Sequence, residues 1–491
     1  MIQGTSSSVG KSIVATALCR IFSKKGFKVC PFKAQNMALN SFVTAGGGEM
    51  GRAQVVQAAA CRREPEVDMN PILLKPEGDA MSQVVVMGSP WKRLKAREYY
   101  LHKDTLWSFV KDSMNRILAD NDLVVVEGAG SPAEINLKKD EIVNMRVAGE
   151  FGIPVLLVGD IDRGGVFASL VGTLSLLEEN ERELVKGFVI NKFRGDVSLL
   201  EPGLGMLADL TGGRPTVGVL PYMHDIKLAQ EDSVFLDENM RFGDEGPVDI
   251  AVIKLPRISN YDDFDALAME KGITVRYVDD PRDMGTPRAI IIPGSKTTLS
   301  DLAWLRERGL DSLVQALLVS GSSVVGICGG YQMLGRIIRD PMGVEHSSGE
   351  EPGLGLLPVD TDFEPVKRTV QVVGTVDGGA LGAGTGPLEV RGYEIHMGTS
   401  RLLSGGRPLL RFPDGRYDGC VSAGGRVWGT YLHGVFDNPS FRRGWLGSLG
   451  WRGSGEEGRN LAEMRESELE RLAETFEAHL DMPLLEGMIG L

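Results

Sequence analysis

Short apolar runs that stop at a glycine or polar turn recur along this chain, and they limit what it can fold into. Leu123-Val124-Val125-Val126, Val155-Leu156-Leu157-Val158-Gly159 and Gly187-Phe188-Val189-Ile190 punctuate the first half. Such runs do not alternate, so they suit strands buried on both faces, as in parallel sheets. Parallel neighbours need crossovers, and helical stretches lie between the runs, so the first half is expected to be a parallel sheet covered by helices on both faces. The helices are read at Gly51 to Arg63 and Leu94 to Leu118. Around Phe235 to Pro247 the texture turns acidic and Gly-rich, which marks a boundary. Asp249 to Leu255 then opens a second sheet, continued by Thr274 to Val278 and Arg288 to Ile292. The expected division is 1–240, 248–440 and a helical tail 441–491 with its helix at Leu461 to Leu480. Leu354 to Val427 reads as Gly-rich with short β patterns.

Composition excludes several classes. Hydrophobic content of 42% with 24% charged residues is that of a globular protein. No stretch nears the roughly 18 apolar residues of a membrane span, and Met1-Ile2-Gln3-Gly4 does not open a signal peptide. A net charge of -13 argues against a nucleic-acid surface as the main task. Five scattered cysteines form neither a disulfide framework nor a metal pattern, which points to a reducing cytoplasm.

The chemistry is concentrated in a few turns. Ser323 to Ile327 is a short buried strand leading into Gly326-Ile327-Cys328-Gly329-Gly330, with helical composition from Tyr331 to Ile338. A small–x–nucleophile–small–small turn between strand and helix is a nucleophile elbow, here with Cys in the Ser position. A lone cysteine is more often a buried packing residue, but this setting reverses that reading. A thiolate needs a base. Among six histidines, His102 and His479 lie on charged helices and His224 and His346 in loops. His396 and His433 each follow a short β-like segment. His433 is the expected base, and His396 faces substrate or is structural. Pro293-Gly294-Ser295 and the N–H of Gly329 are the oxyanion candidates, although the Gly294 turn could equally just start a helix.

Near the N-terminus stands Gly4-Thr5-Ser6-Ser7-Ser8-Val9-Gly10-Lys11-Ser12, a phosphate-binding loop whose first glycine is one residue early, leaving Thr5 in its place. Lys33, Gln35, Asn36 and Asn40 crowd a strand C-terminus, where open α/β sheets bind ligands; a solvated loop is the competing reading. Glu127, delivered by the run 123–126, is placed for Mg²⁺ beside Ser12, or else caps the next turn. Asn191 ends another strand and is placed to read a base.

Together these residues resemble known families. Gly-x-Cys-Gly-Gly-Tyr-Gln with a later Tyr-Leu-His-Gly resembles the triad-type (class I) glutamine amidotransferases, within them the cobyrinic/cobyric acid branch. The first half, with its displaced P-loop and Val-Glu-Gly-Ala-Gly, resembles the dethiobiotin synthetase-like ATP-dependent ligases. The fusion, with Phe-Lys-Ala-Gln-Asn-Met-Ala-Leu-Asn-Ser, is similar to the cobyric acid synthase family. That resemblance implies ATP-dependent amidation of the b, d, e and g carboxylates of adenosylcobyrinic acid a,c-diamide, a corrinoid, with glutamine as nitrogen donor. It implies Cys328 as nucleophile, His433 as base and acid, and an acyl phosphate made from ATP. Thr5, Gly10, Lys11, Ser12 and Asn191 would hold the nucleotide, Ser12 and Glu127 the Mg²⁺, and Lys33, Gln35 and Asn36 the carboxylate substrate. The broader amidotransferases carry Glu two residues after the catalytic His; here that position is Val435, so the group orienting His433 stays open. The alternatives are the a,c-diamide synthase of the same branch, a P-loop ATPase switch with a glutamine-binding module, and a non-catalytic glutamine sensor.

Overall fold

The computed structural model describes residues 1–78, 80–223, 226, 240–345, 349–381, 386–453 and 461–491. The chain divides into two compact units that are not contiguous in sequence. The first is Met1–Met37, Met50–Ala229 and Met464–Leu491; the second is Ala38–Glu49 and Gln230–Glu463. This differs from the expected 1–240, 248–440 and 441–491 in three places, the first being that the division falls at Ala229/Gln230 rather than between 240 and 248. A short segment after Met37 belongs to the second unit, and the tail is shared out between the two.

In the first unit, strands Ile2–Gly4, Val155–Asp160, Val185–Phe193 and Thr216–Pro221 lie side by side in that order, all parallel. A parallel pair, Val29–Phe32 with Leu123–Val126, joins them through a bridge from Ile2 to Glu127. The apolar runs form these strands because both faces are covered, as expected. The sheet places the Gly4–Gly10 loop and Glu127 at the same strand ends. Helix Lys11–Lys24 follows the loop, and the C-terminal helix Leu461–Glu477 contributes Leu469, Leu472, Ala473 and Phe476 to the core that this helix shares. A second sheet, mostly antiparallel and made of Gln35–Met37, Ile72–Pro76, Met81–Val86 and Ser89–Lys95, was not expected. It claims Leu94 and Lys95, so the helix read from Leu94 begins at Ala96, breaks after Tyr100 and resumes over Lys103–Asp120. The helix read at Gly51 to Arg63 spans Arg52–Ala60.

The second unit centres on a seven-stranded sheet in the order 241–243, 273–278, 248–253, 289–292, 323–327, 427–430, 420–421. Its five central strands are parallel and its two edges antiparallel. The boundary stretch Phe235 to Pro247 lies partly outside the described residues, and its described part supplies an edge strand, Arg241–Gly243. The region expected to hold short β patterns instead forms two long paired strands, Val359–Asp377 and Pro387–Leu402, with a bulge between Asp362 and Lys367. Charged residues and Pro365 break the alternation in sequence, while Thr369, Val370, Val372, Val373, Thr375 and Val376 supply the β preference. The helix after the elbow is Gly329–Leu334 alone; the chain turns at Gly335 into strand Ile337–Asp340.

Candidate active sites

Cys328 sits at the end of strand Ser323–Ile327 with φ 50° and ψ −109°. A non-glycine residue in that region is strained, and such strain gathers at functional sites. The turn is held from both sides: Cys328 N donates to Thr430 O at 2.8 Å, and Gln332 N closes the helix on Cys328 O at 3.1 Å. Gly330 permits the close packing behind it, since a Cβ there would lie 1.9 Å from Ile292 O. The result is a buried sulfur at a helix N-terminus.

His433 lies on the short strand Leu432–His433, paired with Tyr393–Glu394, and its ring stacks on Tyr393 at 5.3 Å. Its Nδ1 meets Asp263 Oδ2 at 2.7 Å, and the N–H of Gly434 donates to Asp263 Oδ1 at 2.9 Å. A carboxylate only accepts, so Nδ1 carries the proton and Nε2 is left for the Cys328 sulfur, which itself donates to Ile395 O at 3.6 Å. Burial pulls the imidazole's pKa down, but the Asp263 carboxylate and the Cys328 sulfur outweigh it and push the value up to about 10. The orienting group left open by Val435 is therefore Asp263, 170 residues away in sequence. It stands on the tight turn Tyr261–Phe264 after Asn260. The signal for it was weak: an Asn-Tyr-Asp-Asp-Phe cluster just past a buried strand, one acidic run among many.

The oxyanion candidates converge on this place. Gly294 lies on the two-residue strand Gly294–Ser295, and a Cβ on it would lie 3.3 Å from His433 Cε1. A Cβ on Gly329 would lie 3.0 Å from Ser295 N. Buried Asp301, its carboxyl raised to about 6 by burial, accepts from Ser295 Oγ at 2.6 Å and from Arg257 N at 3.3 Å, fixing that strand. His396 is neutral, its pKa pulled down to about 3 by burial. Its ring stacks on Tyr431 at 3.7 Å, and its buried Nε2 has no hydrogen-bond partner among the described residues. Gln332 steadies this wall through Met397 O at 3.0 Å and Tyr431 Oη at 3.1 Å. His224 and His346 lie outside the described residues.

In the first unit, Lys11 Nζ folds onto Ser6 O at 2.9 Å and Gly130 O at 3.1 Å. Ser12 Oγ donates to Glu127 Oε1 at 2.8 Å, Lys33 Nζ meets the same oxygen at 2.9 Å, and Gln57 Nε2 donates to Oε2 at 2.5 Å. Burial disfavours charge on Glu127, but the Lys33 ammonium and these donors prevail and hold its carboxyl below the usual range. Gln57 was missed in sequence, where it looks like one polar residue on an Ala-rich helix. Thr5 gives its backbone N–H to Val158 O at 3.0 Å, so only its side chain faces the loop. Asn191 is buried with Nδ2 on Val9 O at 2.8 Å. It braces the loop from beneath, and with its amide so engaged it is placed to support the phosphates rather than read a base. Lys192 Nζ does the same at Ser8 O, 2.9 Å, while paired with Asp160 at 2.8 Å. Of the expected substrate residues, Lys33 reaches the site, Gln35 accepts from Tyr99 Oη, and Asn36 is buried on Gln54 Oε1 at 2.7 Å. Asn36 is therefore a brace. Asn40 belongs to the other unit.

Comparison with known proteins gives the same two parts. Residues 1–234 match the CobQ/CobB/MinD/ParA nucleotide binding domain, and 249–441 the CobB/CobQ-like glutamine amidotransferase domain. The chain is 52% identical to a cobyric acid synthase of Dehalococcoides mccartyi strain CBDB1, over 100% of this chain and 98% of the relative. It is 51% identical to one from Pelotomaculum thermopropionicum, over 100% and 96%. Among the described residues no helix is long and apolar enough to cross a membrane, and all five cysteines are free.

Proposed function

The chain belongs to the cobyric acid synthase family, a glutamine-dependent amide ligase, and we propose how its two sites divide the work. The observation that carries the reading is the assembled Cys328–His433–Asp263 triad in the same chain as a phosphate-binding loop whose Ser12 touches Glu127. The substrates are glutamine, ATP and adenosylcobyrinic acid a,c-diamide, whose b, d, e and g carboxylates become amides. The enzyme works in the cytoplasm.

The Cys328 sulfur attacks the side-chain amide carbon of glutamine. The N–H groups at Gly294 and Gly329 receive the resulting oxyanion. His433, held protonated by Asp263, gives its Nε2 proton to the departing ammonia, leaving a glutamyl thioester. Nε2 then takes a proton from water as it attacks the thioester, the sulfur leaves as thiolate, and glutamate is released with the thiolate–imidazolium pair restored.

A carboxylate resists ammonia because oxide is a poor leaving group. Transfer of the ATP γ-phosphoryl to a corrinoid carboxylate makes an acyl phosphate; ammonia attacks its carbon and inorganic phosphate leaves. Gly10 and Lys11 hold the phosphates once the Lys11 ammonium releases the carbonyls of Ser6 and Gly130. Asn191 and Lys192 keep the loop in shape. The Ser12 hydroxyl and Glu127 carboxylate form a hard oxygen pair 2.8 Å apart that already carries the Lys33 cation, so the residues fit Mg²⁺. Mg²⁺ bound there neutralises charge on the transferring phosphoryl. Lys33 is then freed to meet the corrinoid carboxylate.

The test compares wild type with Cys328→Ala, each given ATP, Mg²⁺ and the a,c-diamide with either glutamine or concentrated ammonium, following the corrinoid by mass. Wild type should add four amides from either source, and the variant only from ammonium. No mass change in wild type with either nitrogen source would remove the substrate assignment.

A further inference from the structure

The segment Ala38–Glu49 has first-unit sequence on both sides of it, yet it belongs to the second unit. Its contacts there converge on the turn that carries Asp263. The first N–H groups of any short helical turn lack partners within it. Here the N–H of Tyr261 is satisfied by Asn40 Oδ1 at 3.0 Å. On the other side of the turn, Asn260 sits in the left-handed region at φ 52°. It sends Nδ2 to Ser41 O at 2.9 Å and to Tyr393 Oη at 2.7 Å. Tyr393 is the residue stacked on His433, and Phe42 packs edge-on against the same Tyr393 ring with ring centres 5.2 Å apart. The far end of the segment is pinned to the long paired strands by Glu49 on Lys367 at 2.5 Å and by Gln371 Nε2 on Val43 O at 2.9 Å. Asn40, Ser41, Asn260, Tyr261 and Asp263 are all buried.

We propose that Ala38–Glu49 is a positioning element of the glutamine-hydrolysing site. Asn40 acts through the turn Tyr261–Phe264 on Asp263, and through Asp263 on His433. The proposal rests on the glutamine-hydrolysing reading given above. Its physical basis is that Asp263 stands two residues beyond the N–H that Asn40 holds, on a turn too short to fix itself. Loss of that bond lets the carboxylate drift from Nδ1, and a misplacement of about 1 Å at a catalytic group can cost on the order of 100-fold in rate. Among the described residues Asn40 Nδ2 has no hydrogen-bond partner, so the bond that matters is the one its oxygen accepts. An aspartate in its place keeps that oxygen.

The full-length enzyme tests this by two assays: glutamate release from glutamine without corrinoid, and corrinoid amidation with ammonium. Asn40→Ala should lower kcat for glutamate release about tenfold with KM for glutamine within about twofold, and leave ammonium-driven amidation unchanged. Asn40→Asp should restore most of the rate. Asn260→Gly, which keeps the left-handed backbone while removing the bonds to Ser41 and Tyr393, should show the same loss and serves if Asn40→Ala does not fold. Wild-type glutamate release by both Asn40→Ala and Asn260→Gly would overturn the proposal. So would a matching loss of ammonium-driven amidation, or an Asn40→Asp enzyme as slow as Asn40→Ala. If wild type releases glutamate yet amidates no corrinoid from either nitrogen source, the substrate reading fails. The segment is then judged on glutamate release and thermal midpoint alone.

Discussion

The turn at Cys328 and the loop from Gly4 to Ser12 share a plan, a buried strand running through a tight turn into a helix, but they stand at different distances from action. At the elbow the strain falls on the reactive residue itself, φ 50° at Cys328, and all six residues of the helix behind it are buried. Its partners are already in place: His433, then Asp263, each with a bonded neighbour. In the phosphate loop the turn into the helix falls on Gly10 at φ 99°, Ser6 to Ser8 are exposed, and Lys11 is engaged by the carbonyls of Ser6 and Gly130. Glu127 likewise has both oxygens engaged by Ser12, Lys33 and Gln57. The elbow needs only its substrate. The phosphate site must exchange internal bonds for ligand bonds, and so its affinity depends on how those internal bonds are held.

The sharpest way to break this contrast is Asp263→Asn. An amide at that position no longer holds Nδ1–H or compensates the imidazolium, and the equivalent change in a serine triad costs about 10⁴-fold. Glutamate release should fall about 10²- to 10⁴-fold, with ammonium-driven amidation kept. The pH dependence gives a second reading. His433 stands at about 10, above the ordinary value near 6.5. Its pairing with Asp263 therefore adds stability that is complete below about 6.5 and fades as pH rises through about 10. In Asp263→Asn the alkaline limb of kcat/KM for glutamine should move to lower pH. A variant whose rate and limb match wild type would mean that the elbow is not preassembled through Asp263.

How far these features could be read in advance follows the same contrast. Cys328 and His433 were legible because an elbow must have small residues around a nucleophile, and because Tyr-Leu-His-Gly is a compact pattern. The phosphate loop was legible from Gly10-Lys11-Ser12 despite its displaced first glycine. Asp263 was not, because its role depends on a tertiary contact across 170 residues, and nothing in Tyr-Asp-Asp-Phe tells one Asp from its neighbours. Asn36 and Asn191 were read as ligand contacts from their place at strand ends; both are buried, with the Asn36 amide on the Gln54 side chain and the Asn191 amide on the Val9 carbonyl. The fate of Ala38–Glu49 and of the helix near Leu469 was equally closed, since an amphipathic or Gly-rich stretch does not state which core it joins. The long strands Val359–Asp377 and Pro387–Leu402 were hidden because charged residues and Pro365 interrupt any apolar alternation along them.

Gly10→Ala is the next largest test, and it probes the phosphate loop alone. A Cβ there would lie 2.1 Å from Asn191 Nδ2, and φ 99° is unfavourable for any side chain. Asn191 would be driven off Val9 O and the loop would lose the brace beneath it. Amidation should fall about 100-fold with glutamine and ammonium alike, as a displaced binding group implies, while glutamate release stays at the wild-type rate. Equal loss in both assays would show that the two sites do not fail separately.

The smallest effect is expected behind the phosphate loop, where helix Lys11–Lys24 carries an ionic ladder to the C-terminal helix. Lys24 Nζ lies 2.7 Å from Glu470 and Arg20 reaches both Glu466 and Glu470. The bond to Lys24 holds the Glu470 carboxyl below its usual range. Its contribution is thus present above the ordinary carboxylate value and lost as pH falls through the lowered one. The Lys24 and Glu470 side chains are 33% and 27% exposed, so solvent and salt screen the pair. Lys24→Ala should cost only about 0.2–1 kcal/mol in urea unfolding at low salt, and less at 1 M salt. Glutamate release should not change. Buried Leu472 and Phe476 then account for most of the hold on this helix, because burying such side chains contributes about 1.5–3 kcal/mol each. A Lys24→Ala loss well above 1 kcal/mol that persists in high salt would instead make the ladder, and not the apolar seam, the support on which the phosphate loop's helix depends.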